Sequence, residues 1–303
     1  MRISSITRKL VFLAGISLLS QASASVTIDW VTVGNAGNAA DTTGYGAVGY
    51  EYRIGKYEVT NAQYGAFLNA KASTDSYGLY NTSMSSYGIT RSGSSGSFTY
   101  SVTGALANHP VVYVSWFDAA RFANWLANGQ GSGGDTETGS YTLNGATSGI
   151  ITANAGAQVY IPTENEWYKA AYYNGATSTY SLYPNGQNTI TTADANYASS
   201  GSTYVGTYSG DPSMYGTFDQ GGNVWEWNDA VIDSSRGARG ASWYTASGGA
   251  LASSNRVNFV PSSEHFYLGF RLASASVSAI PEPGSAMGLM MLLSGALLMR
   301  RKG

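Results

Sequence analysis

A single loop-rich α+β domain is the fold class that this sequence predicts, and three observations predict it. Three segments carry helix-start signals, at 60–70, 115–129 and 163–175. Short aromatic and β-branched runs read as strands at 50–59, 111–115, 158–162 and 268–273. Between them lie long stretches rich in Gly, Ser, Thr and Asn, at 72–104, 129–156 and 174–215. Loops of that length belong to functional or locally folded segments.

The helices follow from their first turns. "TNAQYGAFLNA" opens on Thr60 with Gln63 three residues later. "SWFDAARFANWLANG" pairs Ser115 with Asp118 and ends before Gly129, and "TENEWYKAAYYNG" pairs Thr163 with Glu166 and ends before Gly175. In each, the hydroxyl satisfies a backbone N–H that the helix leaves without a partner.

Composition then narrows the function classes. The 303 residues hold 16 Lys and Arg against 18 Asp and Glu, which offers no electrostatic footprint for nucleic acid. Cysteine is absent, so disulfides, thiolate nucleophiles and Cys-ligated metals are excluded. With only His109 and His265, a three-His metal site cannot form within one chain.

Both ends read as addresses. Arg2, Arg8 and Lys9, the apolar run Leu10–Leu19 and the small residues Ala22-Ser23-Ala24 form a secretory signal peptide over 1–24. At the other end, Pro281-Glu282-Pro283 precedes an apolar run at 286–299 and the basic residues Arg300, Arg301 and Lys302. A run that short is marginal as a permanent span, and its basic end would stay cytoplasmic. The folded domain is expected over 26–273, with a small-residue linker at 274–280.

Few local motifs point to chemistry. "GYGAVG" at 44–49 matches a dinucleotide pattern but precedes a strand and opens no helix, so it reads as a turn. Glu164 and Glu166 could be an acid/base pair, but their place in a first helical turn favours helix capping. His109, just before Pro110, reads as a loop closure. "GGNVWEWND" at 221–229 is different, because Glu226 lies between Trp225 and Trp227. A carboxylate desolvated by indoles needs a partner. Arg236, Arg239, Arg256 and Arg271 are candidates, and so is a calcium ion held by oxygen ligands such as Asp219 and Glu226.

Two resemblances rest on these residues. The tail 281–303 resembles the PEP-CTERM sorting signal of Gram-negative bacteria, which implies export, transient inner-membrane anchoring and processing by exosortase at the periplasm or cell surface. The six ordered segments "IGKYEVTNAQYGAFLNA", "HPVVYVSWFDAARFANWL", "IPTENEWYKAA", "YGTFDQGGNVWEWND", "RGARGASW" and "GFRLA" resemble the sulfatase-modifying-factor, or formylglycine-generating-enzyme, family. That family implies a C-type-lectin-like fold. It also implies a structural calcium on the side chains of Asp219 and Glu226 and the carbonyls of Gly222 and Val224, with a second calcium site touching Asn196. The oxidising members use two cysteines to hold copper, whereas this chain has "GASWYTASGGALASSNR" at 240–256. A second branch holds iron through histidines that this chain lacks, so neither copper nor iron is expected. The resemblance therefore implies a non-catalytic module binding an extracellular polysaccharide or surface protein. Trp243, Tyr244, Asn255, Arg256 and Asn258 lie where the family keeps its groove. An enzyme of other chemistry and a structural matrix component are the alternatives.

Overall fold

The computed structural model describes residues 25–276. The segments read from sequence as a signal peptide (1–24) and a sorting tail (281–303), with linker residues 277–280, lie outside the described residues.

Strand β1 (Trp30–Val33) pairs antiparallel with β2 (Tyr52–Gly55), and Thr60 then caps helix α1 (Asn61–Lys71). A hairpin of β3 (Ile89–Ser92) and β4 (Thr99–Val102) follows, then helix α2 (Trp116–Ala127) and β5 (Val159–Tyr160). Helix α3 (Glu164–Tyr172) runs into a small hairpin of β6 (Tyr173–Asn174) and β7 (Thr179–Tyr180). The remaining strands are β8 (Trp225–Ile232), β9 (Ser235–Arg239), β10 (Val257–Phe259), β11 (Leu268–Gly269) and β12 (Ala273–Ala275).

All three expected helices form, each with a complete capping box in which hydroxyl and third-position side chain exchange hydrogen bonds with the backbone. Two four-stranded sheets share the strands in orders β1-β2-β12-β5 and β10-β9-β8-β11. The first closes the domain, because β12 from the C-terminal end inserts between β2 and β5. Ser274 and Ala275, read from sequence as the start of the linker, are therefore strand residues.

The strand expectations are met only in part. Residues 111–115 form no strand: Val111 N–H bonds the Val59 carbonyl and Tyr113 N–H the His265 carbonyl, but Tyr113 has φ +58°, which breaks an extended run. The segment 268–273 splits between the two sheets as β11 and β12. The long β8–β9 hairpin was hidden by the two carboxylates and two arginines in its sequence. The loops are locally folded, 72–104 around the β3–β4 hairpin and 129–156 by side-chain bonds such as Asn124 Nδ2 to the Tyr141 carbonyl.

Helix α2 is the axis of the core. Ten of its twelve residues are buried, and Phe122 meets Phe67 edge-on at 5.4 Å and Phe270 at 5.6 Å. The backbones pack so closely that a Cβ on Gly269 would lie 2.6 Å from the Val111 carbonyl oxygen. At the start of α2, Asp118 accepts from both Ser115 N–H and Ser115 Oγ, and burial pushes its carboxyl up to about 7 despite those bonds. Ser115→Ala removes one half of that exchange, and a loss of about 1 kcal/mol is expected in urea unfolding, with the slope of the transition unchanged.

Candidate functional site

Glu226 meets an arginine. Arg271 grips it in a two-pronged contact, Nε to Oε2 at 2.6 Å and Nη2 to Oε1 at 2.7 Å. Trp167 Nε1 of α3 donates to Oε2 at 2.8 Å, and both charged side chains are fully buried. The remaining guanidinium donors reach the Gly55 carbonyl at the end of β2 and the Phe218 carbonyl in the loop before β8. One ion pair thus ties both sheets, helix α3 and a loop together.

The donor set does not fit a calcium ion at Glu226. Both carboxylate oxygens are engaged by Arg271 and Trp167. Asp219 accepts from Gly206 N–H at 2.6 Å. Gly222 (φ +85°) presses so close to the Asn196 backbone that a Cβ would sit 2.3 Å from its carbonyl oxygen. Asn196 itself is spent on the Gly201 carbonyl, Asn223 Oδ1 and the Ser199 hydroxyl. Among the described residues, no three acids or histidines are arranged to hold a metal ion.

Beside this pair lies a second carboxyl. Glu58 is 2% exposed; its Oε1 accepts from Asn223 Nδ2 at 3.0 Å, while its Oε2 has no hydrogen-bond partner among the described residues. Burial raises its pKa well above the ordinary carboxylate range, helped by Asp219 and Glu226 and opposed by Arg271. Asp219 is likewise pushed up to about 6, mainly by burial.

The other buried arginines rest on aromatic rings. Arg236 pairs with Asp229 and lies 4.0 Å from the Trp116 ring centroid, and Arg121 pairs with Glu137 and lies 4.1 Å from Tyr77. Arg239 and Arg256 share Glu164, with Tyr45 against both. Glu164 is therefore an ion-pair partner, and Glu166 caps Thr163 and accepts from Tyr160. These are structural duties, as their position in the first turn implied.

The five residues expected at the family groove divide. Trp243 and Tyr244 come together in an aromatic face. Trp243 is 8% exposed and packs on Val112 and Val224, whereas Tyr244 is 63% exposed. Around them Tyr244 lies parallel to Tyr267 (3°, 6.3 Å) and Tyr267 parallel to His265 (9°, 5.1 Å), while Phe266 touches both Trp243 and Tyr244. Tyr87 and Tyr113 extend the face. By contrast, Asn255 donates to the Ala250 carbonyl and Arg256 bonds Glu164, so both are committed to the scaffold. Asn258 is exposed on β10, opposite Gly237. Tyr87, Tyr113, His265, Phe266 and Tyr267 were missed; the run "EHFY" just before the glycine–phenylalanine–arginine motif was the available signal.

His109 closes a loop as expected, its carbonyl accepting from Asn61 N–H. Its Nδ1 lies 2.9 Å from Ser202 Oγ, burial lowers its pKa, and among the described residues no carboxylate hydrogen-bonds to it, so the pair lacks the third member of a triad. A cleft of about 600 Å³ lies nearby, lined by Asp29, Tyr57, Gln63, Asn108 and Tyr204.

Residues 32–276 match the sulfatase-modifying factor enzyme 1-like domain, and the chain belongs to that family. Two solved structures share the fold. Treponema denticola variable protein 1 is 24% identical with a TM-score of 0.57, over 84% of this chain and 97% of that one. CarF is 22% identical with a TM-score of 0.56, over 82% and 99%. The serine/threonine-protein kinase pkn1 of Chlamydia caviae is 31% identical over 121 residues, 40% of this chain. The match spans only 14% of that kinase's length.

Two outcomes follow from the buried charges. Arg271→Met strands Glu226 and is expected to cost about 3–5 kcal/mol in urea unfolding, while adding Glu226→Leu recovers part of that loss. The raised carboxyl pKa of Glu58 means that the folded state holds its proton longer than the unfolded chain does. That stabilisation is full below the ordinary carboxylate pKa of about 4.3 and is lost as pH rises through the folded value. Glu58→Gln keeps the Asn223 bond without the titration. It is expected to flatten the fall of melting temperature between acidic and mildly alkaline pH, leaving the variant more stable than the parent at the alkaline end.

Proposed function

We propose that this member of the family is an exported ligand-binding module rather than a formylglycine-forming enzyme. The observation that carries the reading is the aromatic face around Tyr244. Its rings converge from four separated stretches of chain, and one of them, Tyr244, is left open to solvent while most aromatics of the domain are packed. Rigid aromatic side chains supply contact area at low conformational cost, which suits a recognition surface. The cysteine-free sequence supports the same reading, since the family's copper-dependent oxidation needs thiolates. Export through residues 1–24 and sorting by exosortase through residues 281–303 would place the module in the periplasm or at the cell surface, near extracellular polysaccharide and surface proteins.

The test is binding of the purified protein to the extracellular matrix fraction of the bacterium that makes it. Saturable binding that Tyr244→Ala weakens by about tenfold, roughly 1.4 kcal/mol, is the expected result. Tyr244 is exposed, so the variant keeps its fold. Equal binding by parent and variant, or cysteine-oxidising activity of the parent with copper, would overturn the reading.

A further inference from the structure

The chemical class of ligand can be read from where the charges are. Between residues 25 and 276 the chain has ten lysines and arginines against seventeen acids. Six of the seven arginines are in ion pairs. The seventh, Arg53, lies on Trp30 and donates to Ser274 Oγ. Lys56 lies over Tyr57 and Phe218, and Lys71 and Lys169 donate to the carbonyls of Ser132 and Asn35. Every cation of the described domain is thus engaged. None of the arginine or lysine contacts with aromatic rings falls on Trp243, Tyr244, Phe266 or Tyr267, and the nearest acid in sequence, Glu264, is bound by Asn81. An anionic polymer would find no free counter-charge at this face.

A second, independent feature points to an oxygen-bearing ligand. Trp243 is more than nine-tenths buried, and its Nε1–H is covered and has no acceptor among the described residues. The rings that contact it are those of Tyr244 and Phe266. A buried donor without an acceptor is costly, so an oxygen that reaches it gains more than a surface hydrogen bond would.

We infer that the face of Trp243, Tyr244, Phe266 and Tyr267 binds an uncharged, hydroxyl-rich glycan chain without a bridging metal. Tyr244 and Tyr267 stack on sugar faces, and Trp243 Nε1, covered in the free protein, donates to a sugar oxygen once the exposed Tyr244 ring shifts aside. This inference rests on the binding-module reading and adds the charge class of the ligand.

The experiment is calorimetric titration of the purified protein with neutral dextran and galactomannan, acidic alginate and cationic chitosan oligosaccharide, at low and high salt and with EDTA. Binding to a neutral polymer, flat with salt and unaffected by EDTA, is expected. Tyr244→Ala should weaken it about tenfold. Trp243→Phe, which keeps a ring and removes the donor, should weaken it by roughly three- to tenfold. Preference for alginate or chitosan, a steep salt dependence or loss with EDTA would overturn the inference. If no polymer binds while matrix binding through Tyr244 persists, the neutral-glycan inference falls alone. If matrix binding is also absent, both readings fall.

Discussion

The contact between Arg271 and Glu226 is the constraint on which the rest of the architecture depends. A buried ion pair is weakly stabilising when complete and strongly destabilising when broken. Here its spare donors are used as ties. Arg271 reaches carbonyls at the end of β2 and in the loop before β8, and Glu226 accepts the indole N–H of Trp167 on α3. A domain with few regular elements has little ladder bonding to fix its layers relative to one another. A single charge cluster that is satisfied only when four segments are in register supplies that definition. It also places β8 so that the loop after β9 can carry Trp243 over Val224.

The same economy recurs through the domain. Arg121, Arg236 and Arg239 are each buried, each paired with a carboxylate and each laid against an aromatic ring. The rings offset part of the desolvation that burial imposes on the guanidinium. In a chain with no cysteine, these arginine–carboxylate–ring groups tie distant segments together where other domains use covalent cross-links. The consequence is that little positive charge is left without a partner among the described residues. What remains at the surface near Tyr244 is mainly aromatic, and a scaffold solution thereby sets the character of that face.

The amino-acid sequence by itself determined the three helices, because a capping box is a local pattern whose two hydrogen bonds are made within four residues. It also determined the loop-rich class, the family and the exclusion of thiolate chemistry. It narrowed Glu226 to two kinds of partner. Only the tertiary structure chose Arg271 from four arginines, because the choice depends on which residue a sheet brings forward from 45 positions away. It likewise decided the strands: β11 and β12 read as one run but belong to different sheets, and Tyr113, at φ +58°, ends an extended stretch that its neighbours favour. The candidate face was half legible for the same reason. Trp243 and Tyr244 stood out by their place in the chain, but the rings they meet come from segments 87, 113 and 265–267, and Asn255 and Arg256 turn inward to partners that no local pattern announces. Local hydrogen bonding can be read along the chain. The partner of a buried charge, and the side on which a ring emerges, are settled only where distant segments compete for the same space.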